Sequence, residues 1–449
     1  MKAAAVSIVQ RLRGAGHVAY WAGGCVRDMV RGVTPHDYDI ATSATPEQVQ
    51  QLFSKTIPVG AQFGVVLVVE EEHQFEVATF RSDDAYVDGR RPESVRYASP
   101  EQDAQRRDFT INGLFFDPVD GRIVDFVGGR ADIERKLVRT IGEPSHRFSE
   151  DKLRLLRAVR FAANLGFDIE PRTFHSLKDM AAQIEAVSAE RIRDELIKIF
   201  TRANAGCGLA LLDESGLLAQ ILPEVSAMKG IEQPADFHPE GDVFTHTRLM
   251  LDLLPANPSV VLAFAVLLHD VGKPPTFQRA PDRIRFNEHD RIGAEMAEQI
   301  LRRLRFSNDE INRMVLCVRE HMRMQHVKEM RPAKLKRILS RETFADELEL
   351  HRIDCEASHR NLENYEFLKS KAAELPPEVL KPKPLVTGHD VLALGVPPGP
   401  LVGQILREIE ELQLDEHFKS AEEALAYAKH RVQELTSSPP IRRGGEGSI

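Results

Sequence analysis

The sequence predicts an α+β head followed by a long all-α remainder, and three observations predict it. The first 143 residues mix strand and helix signals. Beyond Glu143-Pro144, from "FSEDKLRLLRAVRFAANLGF" onward, apolar residues recur almost throughout at helical spacing. A chain of 449 residues is also too long for one ordinary core, so several domains are expected.

Within the head, "VVLVVEE", "QFEVATF" and "RIVDFV" read as strands. "TPEQVQQLF" reads as a helix with Thr45 as N-cap and Pro46 in its first turn. The expected division is a head at 1–143, a helical neck at 144–230, a histidine-bearing helical segment at 231–370, a C-terminal helical region at 371–435 and a tail at 436–449. Prolines in "LPPEVLKPKPL" and "GVPPGP" mark the approach to the last helical piece. The tail "TSSPPIRRGGEGSI" has the composition of disorder. No internal repeat is apparent.

Composition narrows the classes. Apolar residues make up 42% and charged residues 28%, as in a soluble globular protein. No apolar run is long enough to span a bilayer, and the N-terminal stretch lacks the pattern of a signal peptide. Cys25, Cys207, Cys317 and Cys355 are far apart and form no CxxC pair. A cytoplasmic protein is the expectation, either a monomer or a homodimer, with no membrane partner. The net charge of −9 excludes a protein coated in basic residues, but not one with a local basic groove.

Candidate chemistry begins at "HDYDIAT". In a strand, Asp37 and Asp39 would point to one face, where like charges repel. A divalent cation relieves that conflict, and hard Mg²⁺ favours carboxylates together with substrate phosphates. A lone DxD is more often a solvated turn, so the neighbours decide. Upstream, "AGGCVRDMVRG" offers Gly23 and Gly24 for close main-chain approach to a ligand, and Arg27 as a guanidinium fork for phosphate. A phosphate cradle followed closely by a carboxylate pair can hold a nucleoside triphosphate with its magnesium.

"GGCVRDMVRGVTPHDYDIAT" resembles the signature of the class II tRNA nucleotidyltransferase and bacterial poly(A) polymerase family, whose head is polymerase-β-like. "RRDFTINGLFFDP" resembles its ribose-recognition motif, with Arg107 and Asp108 implied in nucleotide binding; Gly113 stands where the family usually has Ala. "EDKLRLLRAVRFA" resembles the base-selecting motif, with Asp151, Arg154, Arg157 and Arg160 at the family positions, and "ERIRDELIKIF" resembles the following neck helix. The resemblance implies addition of the CCA end to tRNA from CTP and ATP by in-line transfer, with two Mg²⁺ ions between Asp37, Asp39, the triphosphate and the RNA 3′-hydroxyl. Glu76 is read as a structural strand residue rather than a third metal ligand.

The chemistry of base selection agrees with the resemblance. Asp151 and Arg154, three apart on a helix, share a face. Together they read an amine beside an acceptor, the edge that cytosine and adenine share. Uracil and guanine would leave buried groups unpaired, at about 1–3 kcal/mol each. The competing reading is an i,i+3 salt bridge on a helix surface.

"RSDDAYVDGRRPESV", Arg81 to Val95, resembles the flexible loop that CC-only enzymes lack. The C-terminal end is not strongly basic, unlike the poly(A) branch. Full CCA addition is therefore the expectation, with A-only addition and poly(A) polymerase as alternatives.

A second cluster lies in "HPEGDVFTHTRLML", "FAVLLHDVGKPPTF" and "RFNEHDRIG". Imidazole and carboxylate together suit transition metals such as Ni²⁺ or Mn²⁺. The pattern resembles an HD phosphohydrolase domain. That implies His246, His269, Asp270 and Asp354 as one ligand set, His289 and His321 as additional ligands, and Lys273 on phosphate. The alternative from another class is an HD hydrolase whose head only senses nucleotide. A degenerate HD scaffold is the remaining reading of this segment.

Overall fold

The protein is described here by a computed structural model covering residues 1–58, 64–83, 95–234 and 238–437. The interior of the expected loop, 84–94, and residues 438–449 of the expected tail lie outside the described residues. The chain divides into two compact units, Met1–Val315 and Leu316–Ile449.

The first unit opens with α1 (Lys2–Gly14), whose Ala4, Ala5, Ile8, Val9 and Leu12 are fully buried at helical spacing against the sheet. The strands of the head are β1 (Ala19–Ala22), β2 (Asp39–Thr42), β3 (Thr56–Ile57), β4 (Val65–Glu70), β5 (His73–Thr79), β6 (Arg81–Asp83), β7 (Val95–Tyr97), β8 (Leu114–Asp117) and β9 (Arg122–Asp125). Seven of them form one sheet in the order β3-β4-β5-β2-β1-β8-β9, while β6 and β7 pair separately. β2 runs parallel to β5 and antiparallel to β1, so the centre of the sheet is mixed. Interleaved are α2 (Gly24–Val30), α3 (Pro46–Leu52), α4 (Pro100–Gln105) and α5 (Gly129–Glu134). The expected N-cap of α3 is present: the Thr45 hydroxyl accepts from Gln48 N–H while the Gln48 side chain accepts from Thr45 N–H.

The remainder of this unit is helical: α6 (Pro144–Glu150), α7 (Leu153–Leu165), α8 (Pro171–Met180), α9 (Ala189–Phe200), α10 (Ala205–Glu214), α11 (Leu217–Ile221), α12 (Pro223–Ser226), α13 (Val243–Asp252), α14 (Val260–Leu268), α15 (Lys273–Thr276) and α16 (His289–Arg303). Two small strand pairs interrupt it, Leu137–Val138 with Asp168–Ile169 and Phe277–Arg279 with Ile284–Phe286. The apolar run around "VVLAFAVLL" is α14, with Val261 to Leu268 all buried.

The second unit is helical, with helices at Pro332–Leu339, Phe344–Ala357, Glu363–Glu374, Pro400–Leu414 and Ala421–Ser437 among others. Two apolar clusters hold it, one around Met324, Ile338 and Leu368 and one around Val391, Ile405 and Ala428. Lys336 is buried and links their helices. Its ammonium donates to Leu414 O at 2.9 Å and to Glu416 at 2.7 Å. This mixed sheet with helices, followed by a predominantly helical remainder, is the expected class.

Candidate active site and candidate metal centre

The edge of the central strands carries the first site. β2 starts at Asp39, so Asp37 stands in the bend before the strand and is exposed. The two carboxylates are therefore not neighbours along one strand, as the sequence reading had them, although their charges still interact. Asp39 is pushed up to about 6, chiefly by burial and then by the negative charges of Asp37 and Glu76, with Arg107 opposing. Parallel pairing of β2 with β5 sets Ile40 opposite Val77, which brings the exposed Glu76 beside Asp39. Glu76 was read from sequence as structural, yet it lines the same cavity. Its signal was the parallel register, which a single strand pattern does not carry.

That cavity, of about 500 Å³, is lined by Gly23, Gly24, Arg27, Asp39, Glu76, Arg107 and Asp108 from the head, and by Asp151, Arg154 and Arg157 from the helices that follow. Gly23 has φ +72, the left-handed region, and a Cβ there would lie 3.1 Å from the Arg107 guanidinium. Glycine thus lets Arg107 close over the turn. Arg107 is held by the buried Asp103 through hydrogen bonds of 3.1 and 3.2 Å, and Arg106 by the other oxygen of Asp103 at 2.8 Å. Arg27 donates to Asn112 Oδ1 at 2.9 Å and to its neighbour Asp28 at 2.9 Å. Asp103 and Asn112 orient the cationic groups and escaped the sequence reading, because neither contributes a charge pattern of its own.

Asp108 is fully committed. Arg157 donates to its Oδ2 at 2.5 and 2.8 Å, and Asn112 and the Phe109 N–H donate to Oδ1. Burial opposes its ionisation, but Arg157 and these hydrogen bonds hold its carboxyl well below the ordinary range. Arg160 does not point into this arrangement. It pairs with buried Glu195 on α9 at 2.6 Å and lies over the Phe161 ring.

The base-reading pair departs from the expected geometry. The motif does not form one helix: α6 ends at Glu150, Asp151 is extended, and α7 starts at Leu153. Asp151 stands just ahead of the N-cap, Lys152, and its carboxylate accepts from Leu153 N–H at 3.1 Å. No i,i+3 salt bridge joins it to Arg154 among the described residues. Asp151 binds Arg191 of α9 at 2.9 and 3.1 Å, while Arg154 binds Glu150 at 2.5 Å and the Arg147 carbonyl at 3.0 Å. Both side chains nonetheless line the one cavity, each held by its own partner, Arg191 for Asp151 and Glu150 for Arg154.

The residues of the second cluster fall in both units. In the first, His269 is the C-cap of α14 and Asp270 follows in the turn, rather than both lying on the helix. Asp270 is buried and pairs with His269 Nε2 at 3.1 Å, Lys273 Nζ at 2.7 Å and His289 Nε2 at 3.6 Å. Burial opposes its charge, but His269 and Lys273 hold it well below the ordinary range. Gly272 makes this approach possible, since a Cβ there would lie 2.2 Å from the His289 carbonyl oxygen. The buried His246 on α13 donates from Nδ1 to Glu240 Oε1 at 2.6 Å, and the His238 Nδ1 lies 2.9 Å from the same oxygen. Burial works against the Glu240 charge, but His238 and His246 bring its pKa down to about 2. In the second unit, His321 is buried with Nδ1 at 2.6 Å from the Val318 carbonyl, and Asp354 lies on the helix Phe344–Ala357. His238 and Glu240 lie in "HPEGDVFTHTRLML", where no spacing of their own marks them as a pair.

Three family models match the chain in order: the poly A polymerase head domain at residues 19–139, a probable RNA and SrmB-binding site of polymerase A at 166–229, and tRNA nucleotidyltransferase domain 2 at 290–428. This chain belongs to the tRNA nucleotidyltransferase/poly(A) polymerase family. Among relatives of this nucleotidyltransferase-family chain, a CCA-adding enzyme of Geobacillus stearothermophilus is 45% identical over 218 residues, 48% of this chain and 54% of that protein. A CCA-adding enzyme of Limosilactobacillus fermentum is 43% identical over 211 residues, 47% of this chain and 52% of that protein. The chain spans about half the length of these relatives. The crystal structure of a Bacillus stearothermophilus CCA-adding enzyme in complex with CTP superposes with a TM-score of 0.74 at 28% identity, covering 96% of this chain and 98% of that one. A Thermotoga maritima CCA-adding enzyme complexed with tRNA_CCA shares the fold, with a TM-score of 0.57 at 19% identity over 95% of this chain and 94% of that one. No helix among the described residues of this family member is long and apolar enough to cross a membrane.

Proposed function

We propose that the chain is a template-independent RNA nucleotidyltransferase that adds CCA to the 3′ end of tRNA from CTP and ATP, releasing pyrophosphate, in the cytoplasm. One observation carries this reading: a single cavity collects the glycine turn, Asp39, the Asp108–Arg157 pair, and Asp151 with Arg154. Asp39 is pushed up to about 6 by burial first and then by the negative charges of Asp37 and Glu76. An all-oxygen donor set with excess negative charge fits Mg²⁺ at Asp37 and Asp39. When bound, Mg²⁺ supplies charge neutralisation at the triphosphate and activation of the RNA 3′-hydroxyl. Gly23 and Gly24 leave the main chain open to phosphate, and Arg27 and Arg107 sit beside them. Asp151 accepts from the exocyclic amine of cytosine or adenine, and Arg154 donates to the adjacent ring nitrogen. Both are pre-oriented by Arg191 and Glu150, so little ordering entropy is lost on binding. The head at 1–143 and the neck at 144–230 carry this chemistry.

The test is incubation of purified protein with tRNA lacking its CCA end, with each nucleotide singly and with CTP and ATP together. Addition of C, C and A from the mixture is expected, and Asp37→Ala or Asp39→Ala abolishes it while tRNA binding survives. A protein that extends only tRNA already ending in CC is an A-adding enzyme, and full CCA addition is then wrong.

A second activity, metal-dependent phosphohydrolysis in an HD domain at 231–370, is favoured by a specific pattern. His269, His289 and His321 each direct Nδ1 to the carbonyl three residues earlier, at 2.8, 2.8 and 2.6 Å. That fixes Nε2 as the ligating nitrogen in all three. Within the first unit, His246, His269, Asp270 and His289 offer imidazole and carboxylate, which fit Ni²⁺ or Mn²⁺. Such an ion, when bound, supplies an activated water. His269→Ala or Asp270→Ala then ends Ni²⁺-stimulated hydrolysis of 2′,3′-cyclic nucleotides and leaves CCA addition nearly intact. Wild-type protein that binds no transition metal and hydrolyses nothing makes this segment a scaffold.

A further inference from the structure

Three of the four histidines of the second cluster take their Nδ1 acceptor from their own main chain. His246 is the exception: its Nδ1 acceptor is the carboxylate of Glu240, at 2.6 Å, and His246 itself is fully buried. The same Glu240 oxygen lies 2.9 Å from His238 Nδ1, and the His238 and His246 rings meet edge to face with centroids 4.8 Å apart. On its other side the His246 ring faces the His269 ring, with centroids 5.5 Å apart. His246 thus stands between a carboxylate and the HD turn.

Two arrangements are conceivable for His238, Glu240 and His246. They could ligate one ion themselves, or Glu240 could hold His246 for an ion on the far side of its ring. The distances decide. Two ligands about 2.1 Å from a tetrahedral ion lie roughly 3.4 Å apart. The Nδ1-to-oxygen separations of 2.6 and 2.9 Å are hydrogen bonds instead. Among the described residues Glu240 Oε2 is buried without a hydrogen-bond partner, so both histidines hold the carboxylate through its other oxygen.

We propose that Glu240 is a positioning residue for a transition-metal ion ligated by His246, fixing the ring so that Nε2 is its ligating atom, with His238 steadying the carboxylate. This rests on the imidazole–carboxylate metal reading above. A carboxylate on the outer N–H makes an imidazole a stronger ligand than a carbonyl does. The other histidines cannot lose their main-chain acceptors by substitution. His246 can, and that makes the role measurable.

The experiment is Ni²⁺ binding to the full chain by equilibrium dialysis with elemental analysis, alongside thermal melting in chelator. The proteins are wild type, Glu240→Gln, His238→Ala and His269→Ala. Glutamine keeps the shape and an acceptor oxygen but removes the charge. The expected result is Ni²⁺ affinity 10–100-fold weaker in Glu240→Gln at an unchanged melting temperature in chelator, with a smaller loss in His238→Ala. Glu240→Gln that binds like wild type overturns the proposal alone. So does a loss of binding that comes with an equal loss of melting temperature in chelator, because Glu240 is then structural. Wild type that takes up no Ni²⁺, or His269→Ala that binds as well as wild type, overturns the metal reading and this proposal with it.

Discussion

Asp39→Asn should stabilise the metal-free protein at neutral pH while abolishing nucleotide addition. The folded protein raises this carboxyl from 3.8 to about 6, by burial first and then by Asp37 and Glu76. An acid with a raised folded pKa binds more protons folded than unfolded between those two values. Its contribution therefore favours the fold at low pH and is lost as pH rises from about 4 to about 6. At about 1.36 kcal/mol per pH unit, the cost above pH 6 is on the order of 3 kcal/mol. Asparagine removes the charge at nearly constant shape and recovers part of that amount. The chain divides into two compact units, so the readout is the melting of the head rather than a global ΔG. The assay is thermal melting of wild type and Asp39→Asn from pH 4 to pH 8 in EDTA, followed by Mg²⁺ titration at pH 8. The variant is expected to melt several degrees higher at pH 8 and to converge with wild type near pH 4. Mg²⁺ should narrow the gap at pH 8, because it binds the wild-type site preferentially. A variant less stable than wild type at pH 8, or a gap independent of pH, would refute the electrostatic account of this site.

Three further predictions are independent of that one. Asp151→Ala or Arg154→Ala should admit UTP or GTP, because the penalty for unpaired groups disappears; an equal fall for all four nucleotides would make the pair structural. Arg191→Ala should raise KM for both CTP and ATP about tenfold with a smaller change in selectivity, since it releases Asp151 without removing it; steady-state kinetics with each nucleotide decide this. Gly113→Ala places a Cβ 2.7 Å from Val127 Cγ2 and should destabilise the head by about 1–3 kcal/mol, with Val127→Ala in the same chain restoring most of the loss in a denaturant titration.

What the sequence made legible was whatever a local pattern encodes. Alternating and apolar runs marked β4, β5 and β9, and Thr45 with Pro46 marked the start of α3. Asp39, Gly23, Asp108, Asp151 and Arg154 could be named because ordered motifs carry them, and they do converge on one cavity. What escaped was set by pairing between distant elements. Glu76 reaches Asp39 only through the parallel register of β2 with β5, and nothing in "FEVATF" specifies that register. Arg191 and Glu195 come from α9 to Asp151 and Arg160, a packing of one helix against the next segment that helical spacing does not fix. The break at Asp151 was concealed for a different reason. Helical spacing runs unbroken through "FSEDKLRLLRAVRF", yet an aspartate can turn its carboxylate onto the main chain two residues ahead, and here it accepts from the free Leu153 N–H at the start of α7. That break gives Asp151 its use: inside a helix its carboxylate would share a face with Arg154 and be neutralised by it. Outside the helix, each of the two takes its own partner, and both remain directed at the one cavity where a base edge can meet them.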